Sequence, residues 1–157
     1  MRTIEREIVL PTGAERVWRA MQYPVTFLYV CKGLFNIPAL AGRSEPLRAG
    51  ERGTAWLFAF HVIPAYRHTL EIADVDEATH TIRTKEHGGI VRAWNHTLHV
   101  EPNDDGTCRY RDTIDIDAGP ATPIVAAIAT GIFAYRQRRW RKLVRQHLLP
   151  GGPAYAR

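Results

Sequence analysis

The segment RAWNHTLHVEPNDDGTCRYRDTIDI, residues 92–116, carries most of the information about the fold. Polar and apolar residues alternate on both sides of an Asn-Asp-Asp-Gly sequence, which is the pattern of a β-hairpin. One face of this hairpin also carries His96 and Asp112. The apolar members of the same face are Trp94, Leu98, Tyr110 and Ile114. The segment therefore predicts two antiparallel strands with an ionisable pair on an otherwise apolar face.

Similar alternation predicts a larger antiparallel sheet around the hairpin. The predicted strands are residues 3–10, 54–62, 66–74, 79–87, 91–101 and 107–117. Short turns join the last five, and consecutive strands with short connections must be antiparallel. Residues 33–53 are rich in Pro, Gly and Ala, which indicates a loop with one short edge strand near Leu47.

Two short helices are predicted directly after the first strand. Thr12 and Glu15 fit a capping box, in which each side chain accepts a hydrogen bond from a free amide at a helix start. Pro24 begins the second helix, because a missing amide costs nothing in the first turn, and Gly33 ends it.

A long helix is predicted at the end of the chain, from an N-cap at Thr122 to about Leu148. About 26 residues at roughly 1.5 Å each give a length of about 40 Å. One side of this helix is apolar and consists of Ile124, Val125, Ile128, Ala129, Ile132, Phe133, Trp140 and Leu143. Arg136 and Arg139 fall inside the apolar side, so we expect both to point toward the sheet.

The composition indicates one domain over residues 1–157, with residues 149–157 as a flexible tail. A chain of 157 residues with 45% hydrophobic residues can bury a sizeable core. The N-terminal sequence lacks the pattern of a signal peptide, and no apolar run reaches the roughly 20 residues of a membrane span. We therefore expect a cytoplasmic protein in which Cys31 and Cys108 are reduced thiols.

Positive charge is concentrated near the C-terminus. Residues 119–157 hold seven of the 21 Lys and Arg residues and no acid, so the rest of the chain has 14 bases against 16 acids. Nucleic acid or an anionic surface could bind through Arg138, Arg141, Lys142 and Arg145. A helix that keeps its outer face soluble explains the same charges. Because no exposed aromatic residues are interleaved with them, we expect no nucleic-acid partner.

The order of these elements resembles a known superfamily over nearly the whole chain. The resemblance is carried by IEREIVLPTGAERVW (4–18), EHGGIVRAWNHTLHVEP (86–102), RYRDTIDIDAGPATP (109–123) and FAYRQRRWRKL (133–143). These segments are similar to the START-like, polyketide cyclase/dehydrase-related SRPBCC superfamily. The resemblance implies an α+β helix-grip fold, in which a curved antiparallel sheet of six or seven strands holds the long C-terminal helix. It also implies a cavity between them for an apolar or amphipathic small molecule, but no universal catalytic motif.

A turn centred on Asp104 places His96 directly opposite Asp112, with their Cβ atoms about 4.5–5.5 Å apart. An unpaired buried carboxylate is costly, so we expect His96 to pair with it. Arg136 or Arg139 is a further expected counter-ion, because guanidinium binds carboxylate through two parallel hydrogen bonds.

These expectations define the candidate site. Its predicted ligand-binding residues are Trp56, Phe58, Phe60, His68, Leu70, Glu86, Trp94, His96, Leu98, Tyr110, Asp112, Ile132, Phe133 and Arg136, and Ile72 is a further lining residue. The polar group within it is Glu86, His96, Asp112 and Arg136. His68 by itself is also explained as a core or rim histidine.

Three roles for the polar group remain open: a structural salt-bridge network, orientation of a ligand, or acid/base catalysis by His96, Asp112 and Glu86. The leading hypothesis is binding of a small hydrophobic or aromatic ligand. The alternative is a cyclase or dehydratase in which His96 moves a proton. No HExxH, GxSxG, Walker-type or GxGxxG sequence occurs, so we expect neither a metal site nor a cofactor. The sequence leaves open the identity of the ligand and whether the chain forms a homodimer.

Overall fold

The computed structural model describes residues 1–60 and 63–146. Within these residues, seven strands form one antiparallel sheet in the order β1-β7-β6-β5-β4-β3-β2. The strands are β1 (Arg2–Leu10), β2 (Phe35–Asn36), β3 (Arg52–Ala59), β4 (Ile63–Asp76), β5 (Thr81–Gly88), β6 (Val91–Pro102) and β7 (Cys108–Asp117).

Three α-helices accompany the sheet: α1 (Ala14–Met21), α2 (Pro24–Cys31) and α3 (Thr122–Arg145). Short 3₁₀ turns cover Pro38–Leu40 and Gly119–Ala121. A curved antiparallel sheet, two short helices after the first strand and a long final helix make an α+β helix-grip fold, as predicted. The predicted end of the last helix and the predicted tail, residues 149–157, lie outside the described residues.

Among the described helices, none is both long enough and apolar enough to span a lipid bilayer.

Three irregularities help to curve the sheet. The register shifts between Leu57 and Phe58 in β3, between Ile72 and Asp74 in β4, and between Glu86 and Gly88 in β5. An extra residue on one strand of a pair bends that strand and increases its twist. The sheet therefore has a concave side, on which the helices lie.

The helix starts and the edge strand differ from their predictions. Gly13 and Ala121 are the N-cap residues of α1 and α3, and neither helix has a side-chain cap hydrogen bond. The hydroxyl of Thr122 instead accepts from the Ala118 amide and donates to the Gly119 carbonyl, which stabilises the preceding 3₁₀ turn. The edge strand is β2, while Leu47 lies in a loop where its amide donates to the carbonyl of Gln22.

The register of the β6–β7 hairpin is shifted by two residues from the prediction. His96 lies opposite Ile114, and Leu98 lies opposite Asp112. The turn has the expected five residues but is centred on Asp105 rather than Asp104, with a closing backbone hydrogen bond from the Asn103 amide to the Thr107 carbonyl and a positive φ of 80° at Gly106. A left-handed residue near the end of such a turn is most easily supplied by glycine.

Two apolar clusters hold the helices against the sheet. The larger cluster joins α1, α2 and the C-terminal half of α3 to the sheet through residues such as Val17, Val30 and Leu143. The smaller cluster lies under the N-terminal half of α3 and consists of Ile114, Ile116, Ala126, Ala129 and Phe133, with Ile4, Trp94, Val125 and Ile132 packed around it. The small side chains of Ala126 and Ala129 allow α3 to approach the sheet closely, so this end of the interior is filled.

The predicted apolar side of α3 is only partly buried. Ile124 is 67% exposed and Ile128 is 58% exposed, although both were expected to face the sheet. The buried residues at this end are Ala129, as predicted, and Ala126. Helical periodicity identifies the apolar side of a helix. Which part of that side is buried depends on the element that packs against it.

Candidate functional site

An inner cavity of about 80 Å³ lies between the concave side of the sheet and the helices. A single water molecule needs about 10–15 Å³ measured in this way, so the space exceeds one water. Its apolar lining is Met21, Pro24, Phe27, Val30, Leu40, Leu47, Leu70, Ile72, Ile82, Leu98 and Trp140, and its polar lining is Thr26, Thr84, Glu86, His96, Tyr110 and Arg136.

An outer cavity of about 390 Å³ adjoins the inner one. The two share Leu40, Leu47, Leu70 and Ile72 as lining residues. The remaining lining of the outer cavity is Ile37, Ala39, Arg43, Glu51, Arg52, Gly53, Thr54, Ala55 and His68. Its volume falls in the range of about 300–1,000 Å³ that is usual for small-molecule sites.

Small residues on β3 create the room for the outer cavity. Ala55 lies opposite His68 in the sheet, and Gly53 lies opposite Leu70. Directly opposed residues point to the same face of a sheet, so Gly53 and Ala55 face the cavity and Trp56 faces away. Trp56 is 50% exposed. The predicted inward position of Trp56 is therefore wrong.

The other aromatic residues predicted near β3 also lie away from the two cavities. Phe60 follows the end of the strand with a φ of 50° and is 66% exposed. Phe58 lies beyond the register shift, opposite Pro64, and lines neither cavity. The run from Thr54 to Phe60 is apolar at nearly every position, so the period of two could not identify its inner face.

Three further predicted lining residues belong to the smaller apolar cluster. Trp94 and Ile132 pack against it, and the Phe133 ring lies within it. The Phe133 ring also packs against the ring of Trp94, at a centroid distance of 6.0 Å, and against the edge of His96, at 4.9 Å. Phe133 therefore packs against His96 without lining the inner cavity itself.

His96 and Asp112 form a buried pair at the wall of the inner cavity. The His96 Nε2 atom lies 2.9 Å from Asp112 Oδ1, and the Tyr110 hydroxyl donates to the same oxygen at 2.9 Å. Gln137 Nε2 donates to the other carboxylate oxygen at 3.1 Å. His96 and Asp112 are diagonal neighbours across the strands, a separation that long side chains can still bridge.

The hydrogen bonds keep Asp112 ionised. Burial raises its pKa, but the hydrogen bond and charge of His96, the charge of Arg136 and the Tyr110 hydrogen bond outweigh burial and lower the pKa below its ordinary value. Burial, with the charge of Asp112, raises the pKa of Tyr110 well above its ordinary value. Since the carboxylate can only accept, His96 donates from Nε2, so whenever the ring is neutral its lone pair is on Nδ1.

Glu86 and His68 form a second pair, on β5 and β4. Glu86 Oε2 lies 2.8 Å from His68 Nε2, and Thr84 donates to Oε1 at 2.6 Å. Burial raises the pKa of Glu86, but the His68 hydrogen bond and the charges of His68 and His96 outweigh it and lower the pKa. The other ring nitrogen, His68 Nδ1, is buried and has no hydrogen-bond partner among the residues that the structure describes.

Arg136 projects from α3 into the inner cavity and is only 5% exposed. Its guanidinium carbon lies 4.7 Å from the centre of the Phe133 ring and 5.6 Å from that of Phe27. Burial lowers its pKa, but the charges that Cys31, Asp112, Tyr110 and Glu86 can carry outweigh burial and raise it. Arg136 is therefore a buried cation.

The predicted ion pair between Arg136 and Asp112 does not form. In the described part of the chain, Arg136 has no hydrogen bond and no ion pair within 4.0 Å, and its Nε is buried without a partner. Arg139 does not serve as the counter-ion either, because its guanidinium donates to the Tyr29 carbonyl and lies 4.2 Å from the centre of the Tyr29 ring. Gln137 takes the position expected for an arginine beside Asp112.

The structure therefore brings together eight of the predicted site residues. Leu70, Glu86, His96, Leu98, Tyr110 and Arg136 line the inner cavity, His68 lines the outer one, and Asp112 lies directly behind His96.

Sequence reasoning missed the contributions of α2, of the loop after it and of Gln137. The sequence PVTFLYVC is apolar almost all round, which is typical of a helix covered on more than one side. Gln137 lies four residues after Phe133 and three before Trp140, so helical spacing places it on their side of α3. Leu40 and Leu47 carried no comparable signal, because an irregular loop has no period.

The basic residues Arg138, Arg141, Lys142 and Arg145 are exposed on the outer side of α3. Between residues 1 and 146, leaving out 61 and 62, no group of three or more His, Cys, Asp or Glu side chains is arranged to hold a metal ion. Cys31 and Cys108 are buried and free, and burial raises the pKa of each thiol to about 11.

Comparison with solved structures supports the fold assignment. Norcoclaurine synthase from Thalictrum flavum, in complex with dopamine and hydroxybenzaldehyde, superposes with a TM-score of 0.66 at 16% identity, over 93% of this chain and 87% of that one. The ZhuI aromatase/cyclase from Streptomyces sp. R1128 gives a TM-score of 0.67 at 15% identity, over 96% and 98%. A START superfamily protein from Mycobacterium smegmatis gives 0.67 at 11% identity, over 92% and 97%. These similarities confirm the predicted START-like, SRPBCC fold.

Sequence comparison identifies a narrower family. No curated protein matches the chain. Residues 39–145 match the family described as "Domain of unknown function (DUF8410)". This match extends from the loop that lines both cavities, through β3–β7, to the end of α3. The chain therefore belongs to the DUF8410 family, with a START-like helix-grip fold.

Proposed function

We propose that the protein binds a small apolar or aromatic molecule between the sheet and α3, with the polar end of that molecule toward Arg136, His96 and Glu86. The observation that carries the proposal is the pair of adjoining cavities with mostly apolar walls and a few convergent polar groups. This combination is what small-molecule sites generally need, since apolar area supplies affinity and placed polar groups supply orientation.

The division of volume suggests how a ligand would be held. The outer cavity has room for the bulk of a small molecule, whereas the inner cavity suits a narrow or terminal group. Leu70 belongs to the walls of both cavities and lies opposite Glu86 in the sheet. A ligand that reaches Arg136 from the outer cavity would therefore pass Leu70.

A panel of fatty acids, sterols and polycyclic aromatic compounds tests the proposal. We expect at least one compound to raise the melting temperature of the wild type in a concentration-dependent way, because ligands that bind only the folded state stabilise it. The variant Leu70→Phe should lose this response, because the larger side chain occupies the shared wall.

Leu57→Phe is the matched control, because Leu57 is a half-buried β3 residue that lines neither cavity. It should keep the response. A panel without any stabilising compound, or equal responses of the two variants, would count against binding at this site.

A second candidate function is supported by the His96–Asp112 pair. Asp112 fixes Nε2 as the donor, and no described residue hydrogen-bonds to Nδ1 of His96, which lines the inner cavity. This is the arrangement of a general base held in one tautomer by a carboxylate. We propose, as the alternative, that His96 moves a proton of an enolisable substrate in a cyclase or dehydratase reaction. Turnover of an identified substrate that survives in His96→Ala would remove this alternative.

A further inference from the structure

The guanidinium of Arg136 is a buried cation that no described residue accepts a hydrogen bond from. It is 5% exposed, lines the inner cavity and makes no hydrogen bond to a residue that the structure describes. A buried donor without a partner lowers stability, and a charged donor does so more strongly. Such a group is usually completed by a ligand, ion or water that the polypeptide does not supply.

The nearby carboxylates are held by partners other than Arg136. Asp112 accepts from His96 and Tyr110 on one oxygen and from Gln137 on the other. Glu86 is held by His68 and Thr84 in the same way, one partner on each oxygen. Both carboxylates are thus fixed by their own networks, and neither lies within ion-pair distance of Arg136.

The aromatic rings near Arg136 restrict how a ligand can approach it. The guanidinium carbon is 4.7 Å from the Phe133 ring centre and 5.6 Å from that of Phe27. Aromatic faces attract a cation but accept no strong hydrogen bond from it. The N–H groups along the edge of the guanidinium therefore remain for an oxygen-bearing group in the cavity, and two parallel N–H groups match a carboxylate.

The surroundings favour a group with a single negative charge. Most of the lining is apolar, so a phosphate with up to two charges would lose more hydration than a carboxylate on entering. Glu86 and Asp112 add two negative charges near the single guanidinium of Arg136. A dianion would be repelled more strongly than a monoanion.

We propose that the ligand is a carboxylic acid with an apolar body, and that Arg136 binds its carboxylate. This inference rests on the proposed ligand-binding function, which it narrows to one substrate class. The carboxylate would lie in the inner cavity against Arg136, with the apolar body directed past Leu70 into the outer cavity.

Matched ligands test the inference on the wild-type protein. Decanoate and decanol share their chain, and so do 2-naphthoate and 2-naphthalenemethanol, while decyl phosphate keeps the chain but changes the anion. Calorimetric titration should show at least one acid binding about tenfold or more tightly than its alcohol, which is the smallest gain expected from hydrogen bonds to a charged group. Decyl phosphate should bind more weakly than decanoate.

Variants of the arginines assign the effect to one side chain. Arg136→Gln should remove the preference for acid over alcohol while leaving alcohol binding within about threefold, and Arg136→Lys should keep part of the preference. Arg138→Gln is the matched control, because Arg138 is exposed two residues further along α3 and should bind as the wild type does. If Arg136→Gln does not fold, the ligand pairs on the wild type and Arg136→Lys still decide the question.

Three results would overturn the inference. The alcohols could bind as tightly as the acids, decyl phosphate could bind more tightly than decanoate, or Arg136→Gln could keep the acid preference. If a neutral compound of the wider panel binds while no acid does, the inference fails and the proposed ligand binding stands. If no compound of the wider panel and none of the matched ligands binds, both the inference and the proposed ligand binding fail.

Discussion

Asp112 is a fully buried carboxylate whose hydrogen-bond donors come from three elements, β6, β7 and α3. The sequence indicated its contact with His96, because both residues share a face with apolar neighbours. The exact register could not be predicted, since moving the centre of the turn by one residue, from Asp104 to Asp105, shifts the pairing by two. The contact forms in spite of the two-residue shift, because the histidine side chain is long enough to reach a diagonal partner.

Replacing Asp112 by Asn should change both the stability and its dependence on pH. The folded-state pKa of Asp112 lies below its ordinary value, so ionisation stabilises the fold above the ordinary pKa. That stabilisation is lost as the pH falls through the folded-state pKa. Asp112→Asn should lower the free energy of unfolding at pH 7 by about 1–3 kcal/mol and should lose less stability than the wild type on acidification below about pH 4.

Urea unfolding at several pH values between 3 and 7 measures both effects. Glu86 has a lowered pKa as well, so part of the acid sensitivity should remain in the variant. Asp104→Asn, in the exposed hairpin turn, should follow the wild type within about 0.5 kcal/mol. An identical pH slope for Asp112→Asn and the wild type would show that Asp112 does not contribute in this way.

The end of strand β5 shows how closely the elements approach one another. A Cβ atom on Gly88 would clash with the Arg67 carbonyl oxygen and would lie 2.7 Å from two ring carbons of Tyr66. The first neighbour belongs to the backbone of β4 and cannot rotate away. Glycine at this position therefore allows the register shift between β5 and β6 to pack against β4.

Gly88→Ala should destabilise the protein by about 1–3 kcal/mol, as overpacking of a well-filled site generally does. Gly53→Ala, on β3, is the control, because a Cβ atom there meets nothing within 4 Å. It should be neutral or slightly stabilising, since alanine reduces the freedom of the unfolded chain. Chemical denaturation compares the two variants, and equal losses of stability would contradict the role given to Gly88.

The elements differ in how well their sequences predicted their positions. Strands with strict alternation, such as β6 and β7, were placed to within one residue, and their buried faces were assigned correctly. The inward face of β3 was predicted wrongly. Apolar residues occupy both the odd and the even positions of this strand, so the alternation did not show that Ala55 rather than Trp56 faces inward. In α3, Ile124 and Ile128 are exposed because alanines pack closely against β7 in their place. The helical period of the sequence does not show which apolar residues make that contact.

For the whole molecule, the order of helices and strands was enough to predict the fold. The shapes of the two cavities could not be predicted from the sequence. Their shape depends on Leu40 and Leu47 in an irregular loop, and on small residues facing inward from β3. The sequence did supply most of the polar groups, since Glu86, His96, Tyr110 and Arg136 were predicted from strand and helix periods. That residues 1–157 form a single domain stays a prediction.

The most direct test of ligand binding is a crystal structure of the protein with the compound that raises its melting temperature most. The expected result is ordered electron density that runs from Arg136 past Leu70 into the outer cavity, between α3 and the concave side of the sheet. Density confined to the outer surface, or both cavities filled by repacked side chains in the presence of the compound, would contradict the proposed function.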